Sequence, residues 1–404
     1  MYKPDHEAGK LKRPTKQTLT RTDSYDRNLF YGDSKLHKVM VQQSADAFTK
    51  VADSALRLED SVSDEAKVHV GIIGCGRIGQ CHAANLANKV PDAELVCVSD
   101  FFEESARLLA KQYNVPMACT DYKDLINNAD VHAIIVCSPT DTHADIIKEA
   151  AAAGKHIFCE KPIDKSLSVI DEALAAVEEA GVKLMIGFQK RYDADFGRAY
   201  DARAKGFLGT PVKLHLTSRD PAPPPVGYLK NSGGVFLDQT IHDFDMARYL
   251  VGSDVVEIYA TGLAVNPEIE ALGDYDNTIC HLKFANGCIG TIDNSRATPY
   301  GYDQKAEFFG TSGAITVNNN FPNTATYADR TGCHTDLPVY FFMQRFASAF
   351  LMEMIAFIDC IVQDTPVPCT GNDGRIPVVY AMAATKSIKE NRPVRISEID
   401  PSLG

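Results

Sequence analysis

Hydrophobic residues change their rhythm twice along the 404-residue chain. From Val68, short unbroken apolar runs alternate with helical stretches. The runs are "KVHVGIIGCGRIG", "AELVCVSD", "VHAIIVCSP", "HIFCEKP" and "VKLMIGFQ"; between them lie "GRIGQCHAANLANKV", "FEESARLLAKQYN", "THADIIKEAAAAG" and "SVIDEALAAVEEAG". Strands that are apolar on both faces, separated by helices, predict a parallel sheet covered on both sides. After a helix near 193–206 the pattern changes: "TPVKLHLTSR" alternates apolar and polar residues, as a half-buried antiparallel strand does. "VVEIYATGLA", "NTICHLKFANGCIGTIDNSRA" and "YDQKAEFFGTSGAITVN" continue in that mode, with "ANG" and "TSG" as expected hairpin turns whose glycine takes the strained conformation. Two helices, near 341–363 and 376–390, close the chain. The expected architecture is α/β: a Rossmann dinucleotide-binding domain over 68–190, then an α+β domain with an open, mainly antiparallel sheet over 191–396, and a tail over 397–404.

The first 67 residues are Ser/Thr-rich, mix basic and acidic residues and show little periodicity, which predicts a partly disordered extension with one helix near 39–58. No signal-peptide core precedes them, and no run approaches the roughly 20 apolar residues of a membrane span. A cytoplasmic protein is expected; a mitochondrial presequence is the alternative, opposed by acids from Asp5 onward. The net charge of −12 argues against a nucleic-acid partner. The 11 cysteines are odd in number, lack CxxC spacing and fall largely in apolar runs, so neither disulfides nor a metal site is expected.

In "GIIGCGRIG", Gly74, Gly76 and Gly79 have GxGxxG spacing between a strand and a helix, with Arg77 and Ile78 opening that helix. The first glycine permits the turn, the second lets a pyrophosphate approach the backbone, and the third packs helix on strand. Asp100 ends the second run, 21 residues after Gly79. Its carboxylate suits both ribose hydroxyls and repels a 2′-phosphate, and Phe101 and Phe102 offer that phosphate no cation. NAD rather than NADP is the expected cofactor; a helix cap before "FFEESA" is the bland reading of Asp100. Ser138 and His143 lie at the end of the third run, near the cofactor, and Glu160 and Lys161 of "CEKP" at the end of the fourth. His82 reads as structural.

"GGVFLDQTIHDFDMARYL" sets Asp238 four residues before His242, one turn apart on one helical face. Ile241, Phe244 and Leu250 would dock that helix on a core, while Asp243 and Asp245 cap and solvate it. A solvated polar face is the bland reading of the Asp/His pair, as a solvated strand end is of Lys161.

"GCGRIG", "CEKPI", "GFQKRYD", "SRDPAPPP" and "GGVFLDQTIHDFDMARYL" together resemble the glucose–fructose oxidoreductase/inositol dehydrogenase superfamily over about 68–396. The longest strings, with "NSRATPYGYDQKAEFFG", resemble its inositol 2-dehydrogenases. The resemblance implies that Lys161, Asp238 and His242 surround a substrate carbinol beside the nicotinamide. His242 would take the hydroxyl proton, Asp238 orient the imidazole, and Lys161 stabilise charge on the reacting oxygen. It further implies that Arg191, Asp193 and Tyr302 hold other hydroxyls of a small polyol, with a structural salt bridge or packing role the equal alternative for each, and that copies pair through the second sheet as a homodimer or homotetramer. "RDPAPPP" becomes a stiff active-site loop rather than a PxxP partner motif. The expected reaction is NAD-dependent oxidation of myo-inositol at its 2-hydroxyl. The alternatives are a dehydrogenase of another cyclitol or aldose, such as scyllo- or chiro-inositol or glucose, and a catalytically silent NAD-binding regulator.

Overall fold

The computed structural model describes residues 67–403; the expected extension and its helix near 39–58 lie outside the described residues. In the first half, β1 (Val68–Ile73), α1 (Arg77–Lys89), β2 (Ala93–Ser99), α2 (Glu103–Tyr113), β3 (Met117–Cys119), α3 (Tyr122–Ile126), β4 (Ala133–Val136), α4 (Thr140–Ala152), β5 (His156–Glu160), α5 (Leu167–Ala180) and β6 (Leu184–Gly187) follow in turn. The six strands are all parallel, in the order β3-β2-β1-β4-β5-β6. Five were expected; β3 has only three residues, "MAC", too few to show a rhythm. Val70, Ile72, Ile134, Ile135, Ile157 and Phe158 are fully buried, as a sheet covered on both faces requires. The order reverses between β1 and β4, so a crevice opens at their carboxyl ends.

A 3₁₀ turn (Gln189–Tyr192) leads into α6 (Ala194–Ala204) and β7 (Pro211–Arg219). Then come α7 (Val226–Leu229), α8 (Val235–Asp238), α9 (Ile241–Val251), β8 (Val255–Leu263), α10 (Pro267–Glu270), β9 (Asn277–Phe284), β10 (Ile289–Ser295), β11 (Asp303–Gly310) and β12 (Gly313–Val317). A small hairpin, β13 (Thr326–Asp329) with β14 (Gly332–Thr335), precedes α11 (Phe342–Arg345), α12 (Ala347–Val362), α13 (Gly371–Glu390) and β15 (Val394–Arg395). The second sheet runs β12-β11-β7-β10-β9-β8-β15, antiparallel throughout except for the parallel pair β7/β10. Strand β9 alternates buried and exposed positions, so one face meets the helices. Ile279, Ile289 and Phe309 remain exposed on this sheet.

Three details differ from expectation. At the β9/β10 turn Gly287 does adopt a positive φ of 86°, but Gly313 lies inside β12, and the turn tip is Thr311–Ser312. There the need is at Gly310, where a Cβ would stand 2.1 Å from the Leu208 carbonyl oxygen. Helix α13 starts at Gly371, where Thr370 and Asp373 form a capping box, and Pro377 lies inside the helix. Finally, the chain returns to its first half: Met354, Phe357, Ile358 and Val378 of α12 and α13 belong to the core around the parallel sheet.

Among the described residues no helix is long and apolar enough to cross a membrane.

Candidate active site

The turn from β1 into α1 closes through its glycines. Gly74 has φ +97°, and a Cβ there would meet the Cys137 backbone at 2.5 Å; a Cβ on Gly79 would stand 1.9 Å from the Gly74 carbonyl oxygen. A Cβ on Gly76 would meet nothing within 4 Å. Protein packing therefore demands the outer glycines, while the space over the middle one is open, as an approaching pyrophosphate needs. Asp100 accepts hydrogen bonds from the Cys75 amide (2.7 Å) and the Phe102 amide (2.8 Å). It ties the glycine turn to the next loop instead of capping α2, whose N-cap is Phe102. Each carboxylate oxygen keeps a lone pair for a ribose hydroxyl. Phe101 and Phe102 are 87% and 68% exposed beside it. Arg77 lies over the Phe341 ring at 5.2 Å, and Ile78 packs on the second core.

Two expected cofactor residues turn elsewhere. His143 is buried, its ring nitrogens each 2.8 Å from a carbonyl oxygen, of Pro162 and of Ser138. With both nitrogens occupied it locks one turn to the other and leaves none for a ligand. Glu160 points at His82, with 2.8 Å between Glu160 Oε1 and His82 Nε2. The Ser138 hydroxyl meets that of Thr142 at 2.6 Å.

The three residues expected to be catalytic come together at the sheet edge, in a different arrangement from a single helical face. The helix breaks after Asp238, which ends α8, and His242 stands in the first turn of α9. Lys161 Nζ donates to the Asp238 carbonyl oxygen at 3.0 Å, which holds the ammonium against the α8–α9 junction. The Asp238 carboxylate accepts from the Tyr228 hydroxyl (2.7 Å) and from Arg296 Nη1 (2.9 Å). No hydrogen bond joins this carboxylate to the imidazole, so Asp238 does not orient His242 as expected. The His242 ring instead meets Phe188 edge-on at 5.9 Å, and its Nδ1 has no partner. Burial, with Lys161 and Lys190 nearby, pushes the imidazole well below its ordinary pKa. His242 is therefore held neutral, the form in which a ring nitrogen carries a free lone pair.

Sequence reasoning missed the ring of charge around this point. Arg296 is fully buried, with Nε and Nη2 unpartnered. Its partner Asp238 lies 58 residues away, so no local pattern announced the pair. Asp220, in the Pro-rich loop, is pushed up to about 7 by burial and by Asp238 and Asp243, against the pull of Arg296 and Lys190. Lys190 is buried, donating to Asp243 Oδ1 at 2.8 Å, and Asn294 donates to the other oxygen at 2.7 Å.

Several expectations fail for the same reason, that buried charges find partners. Asp243 and Asp245 do not solvate α9; both are buried, Asp245 against Arg191. Arg191 is committed to Asp245 and Asp373 and stacks on Tyr249, so it holds no substrate hydroxyl. Asp193 caps α6 and pairs with buried Arg345. Tyr302 belongs to the second core, edge-on to Phe346; burial near Asp220 and Asp243 keeps its hydroxyl protonated.

A nucleotide turn at a switch point, with a lysine at the end of β5 and a neutral histidine from the second domain, defines an NAD-dependent oxidoreductase acting on a CH–OH group. Comparison with known proteins agrees. Residues 68–188 match the oxidoreductase family model with an NAD-binding Rossmann fold, and 196–316 match the GFO/IDH/MocA C-terminal domain. The chain belongs to the GFO/IDH/MocA family. It is 40% identical over 333 residues to myo-inositol 2-dehydrogenase of Thermotoga maritima, covering 82% of this chain and 99% of that protein. A crystal structure of a probable dehydrogenase from the same organism superposes with a TM-score of 0.81 at 41% identity, over 82% of this chain and 99% of that one. Scyllo-inositol dehydrogenase from Lactobacillus casei with bound NAD(H) and scyllo-inositol superposes at 0.78, with 28% identity, over 82% of this chain and 99% of that one.

Proposed function

We propose that the protein oxidises the 2-hydroxyl of myo-inositol to the ketone, with His242 as base and Lys161 as the group that stabilises the reacting oxygen. The observation that carries this reading is a neutral, buried histidine beside a lysine anchored at the α8–α9 junction. NAD, when bound, accepts the hydride that leaves the carbinol carbon. Gly74, Gly76, Gly79, Arg77 and Ile78 would frame its pyrophosphate, Asp100 its ribose, and Ser138 the turn beside it. The proton of the hydroxyl passes to His242, and the C–O bond becomes C=O, which balances the step. Asp238 acts through Lys161 and Arg296 rather than on the imidazole. Asp220 supplies an acceptor for a further ring hydroxyl, and among the described residues no cluster of free cations suggests a phosphorylated substrate.

The test is initial-rate NADH formation with NAD or NADP and, separately, myo-, scyllo- and chiro-inositol and glucose. A clear preference for myo-inositol with NAD supports the reading. Preference for scyllo-inositol, the ligand of the Lactobacillus relative, moves the assignment to that isomer. NAD binding without turnover on any polyol favours the silent regulator, although Lys161, Asp238 and His242 are all in place. We further place the protein in a reducing, cytoplasmic setting, which suits its 11 free cysteines. It pairs through the exposed sheet face carrying Ile279 and Ile289; light scattering that finds a monomer would overturn this pairing.

A further inference from the structure

Behind Lys161 lies a second group of ionisable side chains that the reaction does not use. His82 of α1 and Glu353 of α12 are fully buried, and Glu160, at the end of β5, is largely so. His82 Nε2 stands 2.8 Å from Glu160 Oε1 and 3.9 Å from Glu353 Oε1. Both Glu353 oxygens and His82 Nδ1 have no hydrogen-bond partner. The imidazole is boxed edge-on by Phe158 and Phe350 at 5.3 and 5.9 Å. Gly187 makes room for Glu160, since a Cβ there would lie 3.1 Å from Glu160 Oε2.

Charge balance constrains this group. With both carboxyls ionised and the imidazole neutral, two negative charges would sit in an apolar box, at a prohibitive desolvation cost. The groups around Glu353 are His82, Glu160, Cys81, Cys137, Tyr192 and Cys369, and none but His82 can offset that charge. A proton on Glu353 removes one of the two charges, while His82 Nε2 lies against the Glu160 carboxylate.

We propose that His82, Glu160 and Glu353 form a buried clasp that positions Lys161 and ties α12 to the nucleotide-binding sheet. Glu160 precedes Lys161 in the chain, so holding its carboxylate fixes the backbone from which the lysine reaches Asp238. This rests on the role given to Lys161 above. The members are positioning residues and touch neither substrate nor cofactor.

Burial, with Glu160 beside it, raises Glu353 well above its ordinary 4.5. The folded protein then keeps a proton that the unfolded chain releases. Stability therefore falls as pH rises from about 4.5 towards the folded value, and ionisation of Glu353 opens the clasp.

Glu353→Gln keeps the shape of the neutral acid and cannot ionise. It should turn over within twofold of wild type at pH 7 and lose the decline in both melting temperature and kcat that accompanies rising pH. Glu160→Gln, which removes the charge that His82 holds, should lower kcat about tenfold to a hundredfold, the scale of a misplaced group, with KM for NAD and polyol unchanged. Wild-type turnover in Glu160→Gln, or an unaltered decline with rising pH in Glu353→Gln, would overturn the proposal. So would a stoichiometric metal in the purified protein that Glu353→Gln loses. If Lys161→Met retained turnover, the reading of Lys161 would fall, while the melting-temperature arm would still decide the clasp.

Discussion

The β1–α1 turn and the α8–α9 junction face the same crevice, yet they are built by opposite means. In the turn the determinants are mostly backbone and close in sequence: Gly79 abuts Gly74 five residues away, and Asp100, from the end of the next strand, reaches back 25 residues to the Cys75 amide. At the junction the determinants arrive from far along the chain. Arg296 meets Asp238 across 58 residues, Lys190 meets Asp243 across 53, and Lys161 meets the Asp238 carbonyl across 77. A site made of local geometry tolerates change around it, whereas one made of buried charges depends on every partner.

The largest effect should come from the junction's chemistry. His242→Ala should lower kcat about a thousandfold, with NAD affinity within twofold by titration, because the base is lost and the turn is untouched. Survival of activity within tenfold would remove His242 from the mechanism. Arg296→Met should come next. It strands Asp238 and should cost about 3–5 kcal/mol in urea unfolding, together with most of the turnover. Arg191→Met should destabilise on a similar scale by stranding Asp245, but leave KM for the polyol unchanged. A rise in that KM would restore Arg191 to the substrate site.

Asp220→Asn sharpens the contrast at smaller cost. Burial raises this carboxyl from 3.8 to about 7. Unfolding releases its proton anywhere between those values, so the wild type should lose stability as pH rises from 4 towards 7, and Asp220→Asn should flatten that slope. The smallest change is expected in the turn. Asp100→Ala should raise KM for NAD about tenfold while leaving kcat nearly unchanged, since the glycines still close the loop. Loss of folding instead would show that the Cys75 and Phe102 amides need this carboxylate more than the ribose does.

This contrast also explains what could be read from sequence. Periodicity marks elements that bury a face, so the parallel sheet, the helices between its strands and the alternating strands were legible, while β3 was too short to announce itself. Glycine spacing marks a turn whose reasons are local. Asp238 and His242 were found by their spacing, but the helix breaks between them, and the partner of Asp238 is an arginine that no motif flagged. Arg191, Asp193 and Asp245 illustrate the same limit. Polar type suggests a ligand, and only the fold reveals that another charge already occupies it. Asp220 stood in view inside "RDPAPPP", where the prolines drew the attention that the carboxyl merited.

The return of the chain to its first half has a practical corollary for recombination. The two family matches end at residue 316, yet Met354, Phe357, Ile358 and Val378 complete the core under the parallel sheet. A chimera that exchanged only residues 68–188 between relatives would set a foreign sheet against a resident helix pair. Grafting a new cofactor preference therefore means transplanting two distant segments as one inheritance unit, the second running from α12 through α13.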